Sequence, residues 1–379
     1  MIHEYALLKQ LITKPSITPD DSGCQSIIRQ FLDFQSFDLS VNNTQNTLIL
    51  TPTHGPLLLF LGHTDVVAPG SLEQWDYPPF ELTKKKNKLY GRGMVDMKGA
   101  LWAWCSAMKR TPTSNIQLGM LITSDEEGSG TNGIKAVIPR MKELNMLPKW
   151  VLVGEPTSKE NFGDCFKNGR RGSAHFYWTI DGKQGHIAYP THAKNPSNAL
   201  QSALACIEKI NHTLPANNRI EIYSINTSSH IENVIPQSIT LKFNIRFTHN
   251  EIIQEVSEQL KEMPFTLECQ IRAHPYQSKY GTFTDLLIHS IQDTLNTTPT
   301  PCVLGGTSDG RWLADLCPEI VEFGLKNKTA HQCNEHCTVQ ELHDLELIYH
   351  QLIKKTDQIN SEKNLKHTIT KNKTHEVPI

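Results

Sequence analysis

The feature that most constrains the fold is an apolar segment of strand length that ends in two polar side chains. Residues 57–61 are all leucine or phenylalanine, and Gly62, His63, Thr64 and Asp65 follow them. A continuous apolar run of this length predicts a strand that is buried on both faces. In extended backbone His63 and Asp65 point to the same side, as expected for a metal-binding imidazole held by a carboxylate. The alternative for this stretch alone is a loop with an N-capping aspartate.

Two further apolar segments also end in acidic side chains. Residues 116–123 lead to the acidic residues 125–127, and residues 150–153 lead to Glu155. The helices predicted between these strands indicate a largely parallel sheet, in which ligands bind outside the carboxyl ends of the strands. Adjacent carboxylates repel one another unless cations compensate their charge. We therefore expect these acids to converge with His63 at one edge of the sheet, although each alone could be a solvated loop.

A further candidate for a functional residue is an aspartate that follows an arginine between two glycines. Gly91, Arg92 and Gly93 precede Asp96, which stands just before a helix predicted to reach about Lys109. An aspartate at such a junction is often only an N-cap. The glycines allow close approach of the backbone to a ligand, and this favours a functional site at Asp96.

The second half of the chain begins with a different pattern. After about Arg171, β-branched and aromatic strands alternate with helices in the order β-α-β-β-α-β, which is typical of a ferredoxin-like domain. The predicted strands are 173–180, 219–225, 239–247 and 265–273, and the helices are 196–210 and 251–262. In the third strand, alternate residues from Ile239 to Phe247 are apolar and face one side, whereas Lys242 and Arg246 face the other.

This domain is inserted into another, because helices and short apolar segments resume after about Gln277. We predict an α/β catalytic domain with a mostly parallel sheet flanked by helices, made of residues 1–172 and 277–379. The inserted α+β domain spans 173–276. A helix is predicted from Thr338 to about Lys354, and the polar, lysine-rich tail from about residue 360 is expected to be loosely attached.

Bulk properties narrow the class of protein. The chain has 379 residues and a formal net charge of −2, which gives no electrostatic support for binding nucleic acid or an anionic membrane. Its apolar runs are too short to span a membrane, and the N-terminus lacks the features of a signal peptide. Nine cysteines without a framework spacing predict reduced thiols in the cytoplasm. Cys333 and Cys337 lack the second pair that a structural zinc site requires.

Taken together, the motifs resemble the dinuclear zinc family of aminoacylases, carboxypeptidases and deacylases. The resemblance rests on residues 63–65 (HTD), 91–93 (GRG), 96–99 (DMKG), 125–128 (DEEG) and 154–157 (GEPT), with His331. It covers nearly the whole chain and implies amide hydrolysis by a zinc-exopeptidase-like domain with an inserted dimerisation domain. Further stretches narrow the resemblance to one deacylase, namely 16–25 (SITPDDSGCQ), 168–173 (NGRRGS), 185–190 (GHIAYP), 233–236 (NVIP) and 306–311 (GTSDGR).

The resemblance also implies a role for each site residue. His63 and Glu155 would bind one zinc ion, Glu127 and His331 the second, and Asp96 would bridge them, with cobalt able to replace zinc at the second site. Asp65 would orient His63, and Glu126 would act as general base and acid. His186 would reach across a homodimer interface to stabilise the oxyanion. The implied contacts to a substrate with several carboxylates are Arg170, Arg171, Asn233, Arg246, Thr307, Ser308 and Asn327, with Arg171 and Arg246 favoured for the carboxylates.

One position departs from the family pattern, and the alternatives share the same fold. Glu232 stands where relatives carry a second asparagine, and an acid facing the site would repel an anionic substrate. The first alternative is another deacylase, such as an acetylornithine deacetylase, or a carboxypeptidase with the same metal ligands. The second is a non-catalytic relative that binds peptide or metal. That relative would lack a ligand or the base, whereas this sequence has every one.

Overall fold

The structure is a computed structural model that describes residues 5–373, with side chains described as far as residue 361. Its helices are α1 (Ala6–Ile12), α2 (Cys24–Leu32), α3 (Gly99–Arg110), α4 (Ile134–Glu143), α5 (Leu200–Thr213), α6 (Glu251–Lys261), α7 (Thr282–Leu295) and α8 (Val339–Lys373). Within this range none of the helices is both long and apolar enough to cross a membrane.

The strands follow the same chain order. They are β1 (Gln35–Asp38), β2 (Asn46–Leu50), β3 (Leu57–His63), β4 (Thr83–Lys85), β5 (Lys88–Tyr90), β6 (Gln117–Thr123), β7 (Trp150–Val153), β8 (Cys165–Lys167), β9 (Gly169–Arg170), β10 (Gly172–Asp181), β11 (Gly185–His186), β12 (Arg219–Thr227), β13 (Val234–Ile235), β14 (Ser238–Phe247), β15 (Thr266–Ala273), β16 (Tyr276–Gln277), β17 (Thr300–Cys302), β18 (Glu319–Glu322) and β19 (His336–Thr338).

The chain forms two compact units. The first unit contains the described chain up to Asn168, then Ser278–Cys302, and the chain from Ser308 onward. The second unit contains Gly169–Gln277 and Val303–Thr307. The sequence places the boundaries at 172/173 and 276/277, and it assigns 303–307 to the catalytic domain. In the structure this short segment packs with the second unit instead.

The first unit is built around a mixed sheet whose strand order is β1-β2-β6-β3-β7-β18-β8-β17. Its four central strands, β6, β3, β7 and β18, are parallel to one another, whereas β2 and β8 pair antiparallel at either side of them. Every residue of β3 is buried, as the continuous apolar sequence predicts for a central strand covered on both faces. The predicted α/β class with a mostly parallel sheet is confirmed, and the carboxyl ends of β3, β6 and β7 lie at one edge.

Aromatic packing fixes β3 against the helices on one face of this sheet. Phe60 stacks on Trp104 of α3, with 4.9 Å between ring centroids, and meets the edge of Tyr349 of α8 at 5.9 Å. All three side chains are fully buried. Burying an aromatic side chain of this size stabilises the fold by about 1.5–3 kcal/mol. The strand that presents His63 therefore rests on a closely packed support.

Helix α8 is longer than predicted. It continues to Lys373, so the predicted end near Lys354 is wrong, and much of the predicted tail is helical. The carboxylate of Asp357 accepts hydrogen bonds from the backbone amides of residues 114–116. The side chain of Asn360 donates to the carbonyl of Asn115 at 2.7 Å. These long-range contacts hold the helix where its polar sequence gives no sign of attachment; residues 374–379 lie outside the described chain.

The second unit contains a four-stranded antiparallel sheet with the order β12-β14-β10-β15. With α5 and α6 in the connections, this is the predicted ferredoxin-like arrangement. Strand β14 alternates between buried and half-buried residues, and its buried apolar face packs with α5 and α6 into one core. Within this core Phe243 stacks on Phe176 at 5.2 Å.

Candidate metal centre

His63 lies at the carboxyl end of β3 and is almost completely buried. Its Nδ1 is 2.9 Å from the backbone carbonyl oxygen of Asp65. A carbonyl only accepts hydrogen bonds, so Nδ1 carries the proton and Nε2 is left as the electron-pair donor. Nε2 lies 3.1 Å from Oδ1 of Asp96 and 3.6 Å from Oε1 of Glu155. The ring is therefore oriented as a metal ligand among carboxylates.

Asp65 holds this site in two different ways. Its carbonyl fixes the His63 ring, whereas its carboxylate is 3.6 Å from Nδ1. The carboxylate accepts hydrogen bonds from the backbone amide of Glu127 at 3.1 Å and from that of Glu126 at 3.4 Å. The resemblance implies only the orientation of His63. The structure adds that Asp65 positions the acidic loop after β6.

Asp96 lies between the two histidines. Its Oδ1 contacts Nε2 of His63, and its Oδ2 is 3.2 Å from Nε2 of His331. The same nitrogen of His331 is 2.8 Å from Oε1 of Glu127. One carboxylate with an imidazole at each oxygen is the arrangement expected of a group that bridges two metal ions. His331 is more than 200 residues away from Asp96 and Glu127 along the chain, and no local sequence pattern predicted that it would lie beside them.

The donor atoms form two overlapping groups. His63, Asp96 and Glu127 offer ligand atoms within 4.8 Å of one another, and so do His63, Glu126 and Glu155. Imidazole nitrogens and carboxylate oxygens are suitable ligands for zinc, and close carboxylates need a compensating cation. The residues present therefore fit a metal centre. Geometry alone does not separate Glu126, predicted to be unligated, from the ligands.

The carboxyl groups differ in their affinity for protons. Without a bound cation, burial would raise the pKa of Asp96, but hydrogen bonds from His331 and His63 hold that pKa far below its usual range. Burial and the nearby charge of Glu155 raise the pKa of Glu126 well above its usual range. Hydrogen bonds to Asp96 and Glu127 raise the pKa of His331 to about 10. Among these groups, Glu126 is the carboxylate best suited to accept a proton.

Sequence reasoning missed one buried acid. Asp309 lies in the glycine-rich loop 306–311 at 5% exposure, and burial raises its pKa to about 7. It interacts electrostatically with His63 and Glu155. The signal that could have identified it is an acid in a polar, glycine-rich loop that also contained two predicted substrate contacts.

Two predicted substrate contacts in the first unit have different surroundings. The Ser308 hydroxyl donates a hydrogen bond to Glu322 at 2.5 Å, and both side chains are fully buried. This position does not favour direct contact of Ser308 with substrate. Asn327 begins a short turn and is exposed, so its amide is accessible to a ligand.

The other predicted substrate contacts lie in the second unit. Arg170 is buried and donates to the carbonyl of Gly306 at 3.1 Å, next to the half-buried Thr307. Arg171 donates to the carbonyl of Asn217 at 2.9 Å. Arg246 is half-buried on β14, and burial lowers its pKa.

A short two-stranded pairing carries the remaining candidates. His186 of β11 lies opposite Val234 of β13 and is exposed. Asn233 is also exposed, and its carbonyl accepts a hydrogen bond from the amide of Ile187 at 3.0 Å. Glu232, the departure from the family pattern, is exposed beside it. Two separate motifs of the sequence, at 185–190 and 233–236, are thus parts of one local structure.

The parallel sheet and its cluster of imidazoles and carboxylates define a metal-dependent hydrolase. The chain belongs to peptidase family M20/M25/M40, whose model matches residues 59–355. The predicted family and the predicted class of enzyme, an amide hydrolase, are therefore confirmed.

Relatives agree with this assignment over most of the chain. A succinyl-diaminopimelate desuccinylase from Coxiella burnetii (strain RSA 493 / Nine Mile phase I) is 37% identical over 362 residues, which cover 90% of this chain and 96% of the relative. The desuccinylase of Blochmanniella pennsylvanica is 36% identical over 369 residues, with 92% and 96% coverage.

Solved structures share the fold at lower sequence identity. An M20 family metallo-carboxypeptidase from Sulfolobus solfataricus matches with a TM-score of 0.76 at 16% identity, covering 93% of this chain and 99% of that chain. A dinuclear metal binding peptidase of the M20 family from Bacillus subtilis matches with a TM-score of 0.68 at 13% identity, covering 94% and 98%.

Proposed function

We propose that this protein hydrolyses N-succinyl-L,L-2,6-diaminopimelate to succinate and L,L-2,6-diaminopimelate, a step of lysine and meso-diaminopimelate biosynthesis. The observation that carries the proposal is the 36–37% identity to proteins named succinyl-diaminopimelate desuccinylase over about 90% of the chain. The alignment covers nearly all of this chain and nearly all of each relative, so it includes both the catalytic and the inserted domain. The hydrolase class of the site agrees with this reaction.

The proposed cofactor is a pair of zinc ions in each subunit. His63 and Glu155 would hold one ion, Glu127 and His331 the other, and Asp96 both, with cobalt able to replace zinc at the second position. The support is the position of the two Asp96 oxygens, each near a different imidazole. When bound, two such ions polarise an amide carbonyl and lower the pKa of water.

Glu126 is the proposed proton carrier. Its carboxylate takes a proton from the attacking water and returns it to the leaving amine nitrogen, so that one group acts first as base and then as acid. The raised pKa of Glu126, which burial and the charge of Glu155 cause, supports this role. Asp65 holds the Glu126 amide through its carboxylate and thereby orients the loop.

The substrate carries several carboxylates, and we assign these to arginines. Arg171 and Arg246 bind them through the planar guanidinium group, which matches a carboxylate in two hydrogen bonds. Further candidates for substrate contacts are Arg170, Asn233, Thr307 and Asn327. Ser308 is the weakest candidate, because its hydroxyl is buried against Glu322. Glu232 is exposed, and its carboxylate would repel the substrate if it faced the bound anion.

The proposed assembly is a homodimer in which His186 stabilises the oxyanion in the partner's site. The second unit exposes several large apolar side chains, which supports a protein interface. They are Ile187 at 55%, Tyr189 at 62%, Tyr223 at 52%, Ile225 at 46% and Ile231 at 68% exposure. The proposed location is the cytoplasm, which rests on nine free cysteines without the spacing of a disulfide framework.

A side-by-side assay tests the proposed substrate. The zinc-loaded protein is offered succinyl-diaminopimelate and acetylornithine at equal concentrations, and kcat/KM is measured for each. The expected result is a large preference for the succinyl substrate. A preference for acetylornithine would refute the substrate assignment and leave the family unchanged, whereas cleavage of neither would favour the carboxypeptidase or the non-catalytic alternative.

A further inference from the structure

A buried carboxylate outside the ligand set holds the turn that presents Asp96. Glu335 is fully buried, and its Oε1 accepts hydrogen bonds from the backbone amides of Val95 at 2.8 Å and Asp96 at 3.1 Å. Its Oε2 accepts one from the amide of Gly93 at 3.1 Å and another from Nη1 of Arg92 at 2.7 Å. Both oxygens are thus occupied by groups next to the bridging ligand.

Arg92 extends the same network to two other ligand-bearing segments. Its Nη1 also donates to the carbonyl of Gln332, the residue after His331, at 3.2 Å. Its Nη2 donates to the carbonyl of Ala68, just after the segment of His63 and Asp65, at 3.4 Å. The guanidinium lies 5.1 Å from the Trp75 ring, which covers it. Three chain segments that carry ligands therefore meet at one buried ion pair.

The segment of His331 has a backbone that needs outside support. His331 has φ of 62° and Asn334 has φ of 58°, both in the left-handed region that non-glycine residues adopt at a cost. The bonds of Arg92 to Gln332 and Glu335 lie directly along this segment. The pair consequently holds His331 and Asp96 in a fixed relation, whereas the longer bond to Ala68 holds the His63 segment less firmly.

We propose that Arg92 and Glu335 are positioning residues which set the distance between Asp96 and His331, and thereby the affinity for the second metal ion. This inference rests on the proposed dinuclear centre. A merely structural ion pair would affect both metal positions and the stability of the fold alike. A positioning pair predicts an unequal effect. Its bonds to the Asp96 turn serve both positions, but it reaches the segment of His331, a ligand of the second ion only, through the 3.2 Å bond to Gln332, and the segment of His63 only through the longer 3.4 Å bond to Ala68.

The test uses Glu335→Gln and Arg92→Lys in the full chain. Glutamine keeps the size of the side chain but places an amide donor against backbone donors, and lysine keeps the charge but cannot form the forked contacts. The matched control is Glu346→Gln. Glu346 of α8 forms an ion pair with Arg110 of α3 at 3.3 Å, and this pair lies outside the segments that carry the proposed ligands. Arg92→Lys also keeps the test valid if Glu335→Gln fails to fold.

The readout is zinc affinity, measured by titrating metal-stripped protein in competition with a chromophoric chelator. Both variants should bind the second zinc ion about 10- to 100-fold more weakly than the unchanged protein, as is usual when a group that orients metal ligands is changed. The first step should change less than about threefold, and the control should match the unchanged protein. The visible spectrum of the cobalt-loaded variants should differ at the second equivalent only.

Two results would overturn the inference. One is an unchanged second affinity in folded variants, and the other is an equal loss at both steps together with a lowered melting temperature. If the unchanged protein bound fewer than two zinc ions, the proposed dinuclear centre itself would be refuted. That failure is distinguishable, because it appears before any variant is compared.

Discussion

The Asp65 carboxylate accepts a hydrogen bond from the backbone amide of Glu127, with 3.1 Å between Oδ2 and N. The backbone carbonyl of Asp65 accepts a hydrogen bond from Nδ1 of His63. Asp65 thus joins His63, a proposed ligand at the end of β3, to Glu127, a proposed ligand in the loop after β6. Since these two ligands belong to different proposed metal positions, the geometry of the centre depends on this one residue.

Asp65→Asn should lower activity by about 10- to 100-fold and weaken metal binding without abolishing it. Asparagine retains the backbone carbonyl that holds His63, but its side chain has a single acceptor oxygen in place of the two that accept from the Glu126 and Glu127 amides. Activity and bound zinc would be measured together. Asp164→Asn is the matched control, because Asp164 also accepts hydrogen bonds from backbone amides, those of residues 159–161, none of which is a proposed ligand. A fully active Asp65→Asn protein would show that the loop needs no such support.

Glu126→Gln should reduce kcat by about 10²- to 10⁴-fold, the usual contribution of general acid–base catalysis, and leave the zinc content unchanged. The amide cannot carry the proton from water to the amine. Zinc content measured by elemental analysis decides between this role and that of a ligand, which the group of His63, Glu126 and Glu155 also permits. Loss of zinc would reassign Glu126. Glu127→Gln, at the neighbouring proposed ligand, should lose zinc affinity and serves as the comparison.

His186 is predicted to act in the partner's site, and mixed dimers test this. His186→Ala and Glu126→Gln proteins should each be nearly inactive with unchanged metal content. Mixing them and allowing subunits to exchange should restore activity. A subunit with intact Glu126 then receives His186 from its partner. No recovery after demonstrated exchange, or full activity of a monomer, would contradict the cross-dimer role.

The start of α8 predicts a pH-dependent contribution to stability. Glu341 accepts from the Thr338 amide at 2.8 Å and pairs with Lys326 at 3.2 Å. Burial would raise the pKa of Glu341, but these contacts lower it. A lowered pKa means that the stabilisation is present above the unfolded value of 4.5 and is lost as pH falls through the folded value.

Glu341→Ala should therefore destabilise the protein by about 1 kcal/mol at pH 7, as expected for a capping interaction. The difference from the unchanged protein should shrink below pH 4.5. Urea denaturation at pH 7 and at pH 4 measures it. A difference that is independent of pH would mean that the charge of Glu341 contributes nothing.

Gly154→Ala should disturb both packing and metal binding. A Cβ on Gly154 would lie 2.4 Å from Phe60 and 2.5 Å from Met97, closer than atoms approach one another in proteins. The resulting shift should displace the neighbouring Glu155 and destabilise the fold by about 1–3 kcal/mol. Thermal denaturation and zinc titration measure the two effects. Phe60→Leu makes room but costs packing of its own, so Gly154→Ala should destabilise the fold less in the Phe60→Leu background than in the unchanged protein; an equal loss in both backgrounds would place the strain elsewhere.

The strands that carry the site were predictable because their signals are local. Continuous apolar runs identify β3, β6 and β7, and the polar residues that follow them identify His63, Glu127 and Glu155 as candidates. Alternation in β14 identifies the buried face of the second unit. Burial pattern and turn chemistry depend on neighbours within a few residues, so sequence alone indicates these strands and the side chains that follow them.

Other features depend on contacts between distant parts of the chain. No local pattern places Ser308 against Glu322, extends α8 to Lys373, or brings the Asp65 carboxylate to the Glu127 amide.

The spacing of the proposed metal ligands is the clearest case. Asp96 and His331 are brought within 3.2 Å by loops that Glu335 and Arg92 tie together. Sequence alone predicted the candidate donors, with His331 supplied by the family resemblance, and the strands that precede most of them. The tertiary structure decided their distances, because hydrogen bonds between remote backbone segments set the separation of loops that have no regular structure of their own.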